Sequence, residues 1–145
     1  MMDKHTIPPA RRKRRGANAM EFGLTLPVFI MVTMGMIEFG WYFSRVALLN
    51  SALMDGCREG ALIDELEDDP ETIAVDRMEN VLVYGGQTCT DCNATVSGAV
   101  PDKILTCTAE IDYLTLTGFF TSLGVMPSKI TSQTRARLEW QRVDT

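Results

Sequence analysis

The chain has 145 residues, of which 46% are hydrophobic, and its formal net charge is −5. The first 16 residues carry six basic side chains and one acidic one, whereas the rest of the chain carries eight basic and 18 acidic side chains, a net charge of −10. Such an acidic remainder argues against binding to nucleic acid or to an anionic membrane surface, and the length allows one membrane helix and one small domain.

A long apolar segment lies near the N-terminus. Between Phe22 and Phe43 the single charged residue is Glu38. These roughly 22 residues would form a helix of about 33 Å, which is enough to cross a hydrocarbon core of about 30 Å. The basic residues ahead of it, Lys4 and those at 11–15, are typical of the cytoplasmic flank of a span. We therefore predict one transmembrane helix, with the N-terminus in the cytoplasm and the remainder of the chain exported.

Four residues of the predicted span have special properties. Pro27 has no N–H to donate within the helix, so we expect a kink or a loosened turn there, which the Thr25 hydroxyl can offset. An unpaired carboxylate is costly in lipid, and two outcomes are open for Glu38: a hydrogen-bonding partner, or a side chain extended toward the interface. Trp41 and Tyr42 are of the type enriched at membrane interfaces and mark the outer boundary.

The basic leader does not have the layout of a secretory signal. Such signals have a short apolar region followed by a cleavage site of small residues, whereas the apolar region here is long and no such site follows it. The small residues Gly16 and Ala17 lie instead between the arginines and Glu21. Cleavage between them would remove the leader and keep the helix. The alternative is a signal-anchored protein that is never processed.

Positions around the leader and the span fit a known pattern. After this cleavage Ala17 would be the first residue, Glu21 the fifth and Phe22 the sixth, which resembles the site of prepilin peptidases. The longer pattern resembles the TadE-like family of the tight-adherence (Tad) pilus system, at Gly16, Glu21-Phe22, Pro27, Glu38-Phe39-Gly40 and Arg58-Glu59-Gly60-Ala61. The detailed match covers Arg14 to about Leu62. One departure is Asp55-Gly56-Cys57, where the family commonly has a run of alanines.

The resemblance implies a domain organisation and a set of partners. Residues 1–16 would be a cleaved cytoplasmic leader, residues 17–44 the transmembrane helix and residues 45–145 an exported α+β domain of pilin-like fold. The implied partners are the prepilin peptidase, other pilin-like subunits and inner-membrane pilus assembly proteins. The protein would be a minor pilin-like subunit (pseudopilin) of the bacterial inner membrane that helps to initiate, assemble or anchor an adhesive pilus.

Glu21 has two interpretations. An acidic side chain near the N-terminus of a helix is stabilised by the helix dipole. This stabilisation alone would explain an acid at this position, without a role in assembly. The resemblance implies instead that Glu21, followed by Phe22, pairs with the free amine of Ala17 on a neighbouring subunit during assembly.

Beyond Tyr42 the helix is predicted to continue with one apolar face. Apolar residues recur there at spacings of three and four: Val46, Leu49, Leu53, Cys57 and Ala61. A parallel row consists of small residues: Ala52, Gly56 and Gly60. Such a row allows another backbone to approach closely, and we expect that backbone to be the domain's own sheet.

An acidic run at 64–69 precedes Pro70 and predicts the end of the helix, because like charges crowd its negative C-terminus. The run lacks the spacing of an EF-hand loop, so we interpret it as a solvated loop and not as a calcium site. A second helix is predicted from Glu71 to about Tyr84, closed by Gly85-Gly86.

The remaining sequence has the period of two that is typical of antiparallel strands. Clean alternation of apolar and polar residues predicts strands at Leu105–Tyr113 and Ile130–Trp140. A weaker strand at Ala94–Ala99 is expected to form a hairpin with the first of these. The predicted fold class is therefore α+β, with a long N-terminal helix, half transmembrane and half exported, packed on a small antiparallel sheet.

The loop between the last two strands, residues 114–128, is apolar. It contains Phe119 and Phe120, which a small domain would either bury or offer to a partner. We predict that this loop is the best candidate contact surface.

All four cysteines, Cys57, Cys89, Cys92 and Cys107, lie on the predicted exported side, where disulfides persist. Three pairings are possible; the apolar positions of Cys57 and Cys107 favour a bond between them, with a local Cys89–Cys92 bond. A redox C-x-x-C motif opens a helix after a strand, whereas a strand follows here. A zinc site is disfavoured because Cys57 and Cys107 are far apart in sequence.

The composition disfavours hydrolytic and acid–base enzymes. The single histidine, His5, lies in the leader and would be lost on cleavage, so the mature chain would lack a histidine for nucleophilic or metal chemistry. We predict no catalytic residue, metal, cofactor or small-molecule substrate, and a function in binding. The alternative is a single-pass, signal-anchored membrane protein whose exported domain performs thiol-redox chemistry or sensing.

Overall fold

The computed structural model describes residues 15–64 and 68–139; the leader up to Arg14 lies outside them. The elements in chain order are α1 (Arg15–Leu62), α2 (Pro70–Tyr84), β1 (Cys89–Ser97), β2 (Ile104–Asp112), α3 (Phe119–Ser122) and β3 (Lys129–Arg137). The predicted α+β fold, a long N-terminal helix with a small antiparallel sheet, is confirmed.

The first helix, α1, is continuous over 48 residues and runs through Pro27. The contacts within the chain define two compact units, Met1–Met36 and Ile37–Thr145, so the boundary between the units falls inside this helix. The second unit therefore takes in the last turns of the predicted span and begins at Ile37, before residue 45, where the exported domain is predicted to start. We call this second unit the head.

The ends of α2 are set by local chemistry. The Asp69 carboxylate accepts hydrogen bonds from the Glu71 N–H at 3.2 Å and from the Thr72 hydroxyl at 2.8 Å, which is an N-cap. Pro70 occupies the first helical position, where a missing N–H costs nothing. After the helix, Gly86 has φ 72°, in the left-handed region that favours glycine. The helix begins one residue before the predicted start and ends at the predicted residue.

The sheet has the order β1-β2-β3, and both pairings are antiparallel. Cys107 on the central strand β2 pairs with Ala94 on one side and with Thr134 on the other. One face of β2 is buried, as the alternation predicts, at Leu105, Cys107, Ala109 and Ile111. The first strand begins at Cys89 and not at Ala94, because its first residues pair with the end of β2 across a register shift between Cys89 and Asp91.

The last strand is shorter than the alternation predicts. β3 ends at Arg137, whereas the predicted end, Trp140, lies outside the described residues. The Glu139 N–H donates to the Ala61 carbonyl at 3.1 Å, so the chain has left the sheet and contacts the end of α1. An alternating pattern predicts which face of a strand is buried, but it does not predict the residue at which the backbone stops pairing with the neighbouring strand.

The core of the head lies between α1, α2 and the sheet. The predicted apolar stripe of α1 is buried there at Leu49, Leu53, Cys57 and Ala61, and Val46 is half-buried against it. The second helix contributes Ala74, Met78 and Leu82. The C-terminal half of α1 is thus held by its apolar face, and packing of such a face is the main source of stability for a helix in a small domain.

The row of small residues on α1 packs against α2, and the expectation that it faces the sheet is wrong in the main. A Cβ at Gly56 would lie 2.7 Å from the carbonyl oxygen of Ala74, and one at Gly60 would lie 2.6 Å from that of Pro70. Only Gly60 also approaches the sheet, at the Leu105 side chain. The close packing survives the departure from the family pattern at Asp55-Gly56-Cys57, because the central residue of that triplet is itself small.

Candidate functional site

The N-terminal half of α1 exposes apolar side chains along its length. The exposed large residues are Met20, Phe22, Leu24, Leu26, Val28, Phe29, Ile30, Met31, Val32, Met34 and Met36. The part of the chain that the structure describes contains one helix long and apolar enough to cross a membrane, Asn18–Leu62, and 6% of its most apolar window is buried. A helix that is apolar all round and exposed requires an apolar environment, so this helix could span a membrane.

Hydroxyl groups inside this segment are satisfied by the helix itself. The Thr33 hydroxyl donates to the Phe29 and Ile30 carbonyls, both at 2.9 Å. The Thr25 hydroxyl donates to the Glu21 carbonyl at 3.1 Å and to the Phe22 carbonyl at 3.2 Å. Thr25 therefore does not donate to the Gly23 carbonyl, which Pro27 leaves without a donor; the other predicted source of compensation, a neighbouring helix, stays a prediction.

The predicted processing residues lie at the start of α1. The helix begins at Arg15, so the backbone is already helical at Gly16 and Ala17, and its first turn contains no acidic residue. Glu21 is exposed and lies beyond the first turn of the described helix. The adjoining Phe22 is also exposed. This segment is open to a partner and carries one carboxylate.

Glu38 is fully buried and has partners within the head. Its carboxylate accepts hydrogen bonds from the Leu116 N–H at 3.1 Å, the Thr117 N–H at 3.3 Å and the Thr117 hydroxyl at 2.8 Å. Of the two outcomes left open by the sequence, the structure has the first, a hydrogen-bonding partner. The donors belong to the apolar loop between β2 and β3, and nothing in the sequence pairs that loop with Glu38.

The aromatic residues after Glu38 hold the same loop. The Trp41 Nε1–H donates to the Leu114 carbonyl at 3.3 Å, and the Arg45 guanidinium lies 4.2 Å from the centre of the Trp41 ring. Tyr42 meets Tyr113 edge-on, with ring centres 5.3 Å apart. Trp41 and Tyr42 therefore fasten the loop to α1, and their role as interface markers stays a prediction.

Tyr113 is buried where β2 enters the loop. Its hydroxyl lies 3.6 Å from the Met126 Sδ. Burial raises the pKa of Tyr113, the Glu38 carboxylate and Tyr42 raise it further, and Arg45 opposes them. The phenol is therefore held in its neutral form beside the buried carboxylate.

Of the two predicted partner-contact residues, Phe119 and Phe120, the structure describes the side chain of Phe120. The Phe120 ring is half-buried and packs 6.3 Å from the ring of Phe39. It therefore has a contact within the head, and its role as a partner contact stays a prediction. The side chain of Phe119 lies outside the described residues. Among the loop side chains that the structure describes, the large exposed apolar ones are Leu114, Leu116, Leu123 and Val125.

All four cysteines are paired, in the arrangement that the sequence favoured. Cys57–Cys107 joins α1 to β2, and Cys89–Cys92 closes a loop within β1. The C-x-x-C motif lies in a strand and not at the start of a helix, so it has no helix N-terminus to stabilise a thiolate. Among the described residues no group of three or more His, Cys, Asp or Glu side chains is arranged to hold a metal ion.

These features define a class of protein, one with a single helix that could span a membrane and a small disulfide-linked α+β head. The family model described as TadE-like protein matches residues 16–58. The resemblance seen in the sequence is therefore confirmed over that segment, which covers the apolar half of α1 and most of its buried half. Comparison with curated proteins and with solved structures found no match.

Proposed function

We propose that this chain is a minor pilin-like protein of a tight-adherence pilus system. In this proposal the N-terminus lies in the cytoplasm, a prepilin peptidase cleaves after Gly16, and the mature chain stays in the inner membrane by α1. The head lies on the opposite side of the membrane and helps to initiate, assemble or anchor the pilus. The work is binding, through helix packing in the membrane and contacts of the head.

The observation that carries the proposal is where the TadE-like match begins. It starts at Gly16 and ends at Arg58, so it omits the basic leader and includes the proposed cleavage position. The leader carries the positive charge expected of a cytoplasmic flank. The exposed apolar side chains of α1 between Met20 and Met36 supply the surface that other membrane helices would pack against.

Glu21 is the residue proposed to act in assembly. Its side chain is exposed on α1 and lies one turn beyond Ala17. A carboxylate at this depth needs a positive partner or contact with the headgroups. The amine of Ala17, freed by cleavage on a neighbouring pilin-like subunit, would supply that partner.

The proposal is tested first by the mass of the mature chain in bacterial membranes. We expect a chain that begins at Ala17, and a Gly16→Val variant that keeps the leader. The matched control is Gly23→Val, since a Cβ at Gly23 meets nothing within 4 Å, and it should be processed normally. A wild-type chain that keeps its leader, or a Gly16→Val chain shortened at the same place, would contradict the proposal.

A second measurement separates processing from assembly. Glu21→Gln should be inserted and cleaved like the wild type, because the substitution leaves Gly16 and the apolar surface unchanged, but it should reduce the number of pili counted by electron microscopy. Normal piliation with this variant would remove Glu21 from the proposed mechanism while leaving cleavage unaffected.

A further inference from the structure

The loop that covers Glu38 carries no charge. From residue 113 to residue 128 the sequence contains no Asp, Glu, Lys, Arg or His, whereas the two flanking residues, Asp112 and Lys129, are charged. We call residues 113–128, which are this loop together with Tyr113 at its start, the apolar loop. Four of its large side chains are exposed: Leu114 by 85%, Leu116 by 57%, Leu123 by 59% and Val125 by 59%. Exposed apolar side chains concentrated on one segment are typical of a surface that contacts another protein or a membrane.

The apolar loop is held in place, so this exposure is a property of a fixed structure. Its backbone donors at Leu116 and Thr117 bond to the Glu38 carboxylate, and its Leu114 carbonyl accepts from the Trp41 indole. The Tyr113 N–H donates to the Ser128 carbonyl at 2.8 Å and closes the base of the loop. Polar backbone groups therefore face α1, while the leucine side chains face outward.

Glu38 and Trp41, which bond to the apolar loop, lie on α1 where the predicted span ends. At the same level α1 exposes Ile37 by 57%, Phe39 by 43% and Phe43 by 64%. The next charged residue along the helix after Glu38 is Arg45. The exposed leucines thus lie beside helix residues that are themselves exposed and apolar.

We propose that the apolar loop lies in the interfacial layer of the lipid bilayer, beside the end of the α1 span, with Leu114, Leu116, Leu123 and Val125 directed into the acyl chains. The occupant of this surface is lipid and not a protein. This inference rests on the part of the proposed function that places α1 across a membrane.

Two observations favour lipid. The surface of the apolar loop carries no charge, although the head is otherwise strongly acidic. Uncharged apolar side chains beside a span can enter the interfacial layer of the bilayer without a charge losing its hydration. The apolar loop also encloses the Glu38 carboxylate and supplies its donors, so an ionisable group at this depth is shielded from hydrocarbon. The head would then be held against the membrane by two contacts, the helix and the apolar loop, and its orientation on the membrane would be fixed.

The test places a photoreactive benzophenone amino acid at one site at a time in the full chain, in its native membranes. The sites are Leu123 on the apolar loop, Leu62 at the far end of α1, which is 45% exposed, and Phe29 in the predicted span, which is 66% exposed. Leu62 is the matched control, because it is also an exposed leucine but lies about 29 Å along the helix from Phe43. Intact disulfides on a non-reducing gel establish that each variant has folded.

We expect phospholipid adducts at Leu123 and Phe29, several-fold above the level at Leu62. Lipid adducts at Phe29 but not at Leu123, or protein adducts that dominate at Leu123, overturn the inference and leave the membrane span intact. Phe29 that forms adducts neither with lipid nor with other membrane proteins overturns the span, and with it both the proposed function and the inference.

Discussion

The carboxylate of Glu38 and residue Thr117 are joined by two hydrogen bonds, from the backbone N–H at 3.3 Å and from the side-chain hydroxyl at 2.8 Å. The two residues are 79 positions apart in the chain. A single acidic side chain in an apolar helix would be costly without partners, and this contact satisfies it within one protein chain. It also fixes the apolar loop to the helix at the point where the head begins.

Removing this carboxylate should loosen the apolar loop. In a Glu38→Ala variant the N–H groups of Leu116 and Thr117 lose their acceptor, and leaving such donors without a partner costs about 2–3 kcal/mol of unfolding free energy in total. Denaturant unfolding of the purified chain in detergent measures the loss. Hydrogen exchange at the two amides should accelerate in the same variant.

The matched control is Glu79→Ala, since Glu79 is an exposed acid on α2. Surface substitutions of this kind change stability by about 0.5 kcal/mol or less. Equal effects of the two substitutions would show that the hydrogen bonds to Glu38 do not hold the apolar loop.

The two disulfides should differ in what they contribute. Cys57–Cys107 spans 50 positions of sequence and Cys89–Cys92 spans three. Loop-closure entropy assigns about 4 kcal/mol to the first and less than about 2 kcal/mol to the second. A Cys57→Ser, Cys107→Ser chain should therefore unfold at much lower denaturant concentration than a Cys89→Ser, Cys92→Ser chain. An equal loss in both double variants, measured by unfolding in detergent, would contradict this ranking.

The sequence predicts the parts of this fold that depend on periodicity. The apolar stripe from Leu49 to Ala61 and the alternation along β2 each report one buried face, and both faces are buried in the structure. The α2 boundaries follow from a local cap and from glycine, which act over a few residues. These signals are local, so they can be read without knowing the tertiary structure.

The sequence does not predict contacts between distant segments. Nothing in the pattern around Glu38 identifies Leu116 and Thr117 as its donors, because backbone N–H groups carry no sequence signature. The row of small residues predicts that another backbone approaches α1 closely but does not identify that backbone, and Gly56 packs on α2 and not on the sheet. The apolar composition of the loop likewise does not predict that Phe120 contacts Phe39, or that Leu114 and Leu116 are exposed.

The close packing of α1 on α2 should be sensitive to a single methyl group. A Cβ at Gly60 would lie 2.6 Å from the Pro70 carbonyl oxygen and 2.8 Å from the Ala74 Cβ. Gly60→Ala should destabilise the head by about 1–3 kcal/mol, because a backbone segment must move to make room. Gly40→Ala is the control, since its Cβ would meet nothing within 4 Å and alanine favours the helix by up to about 1 kcal/mol. A Gly60→Ala head as stable as the wild type in thermal unfolding would show that the two helices are not closely packed.

The ionisation of Tyr113 should couple the stability of the head to alkaline pH. Burial and the neighbouring Glu38 carboxylate raise its pKa above the ordinary 10.0. The folded head therefore holds the phenolic proton more tightly than the unfolded chain does. The resulting stabilisation is complete below pH 10 and is lost as the pH rises through the raised pKa.

A Tyr113→Phe variant isolates this effect. The difference in near-ultraviolet absorbance between wild type and variant during titration reports the ionisation of Tyr113, and we expect its midpoint above pH 10. Unfolding free energies measured on both chains across the same range should fall more steeply for the wild type, because only in the wild type does unfolding release the Tyr113 proton that the folded head retains. A midpoint at or below 10 would contradict the burial of the Tyr113 phenol beside the Glu38 carboxylate.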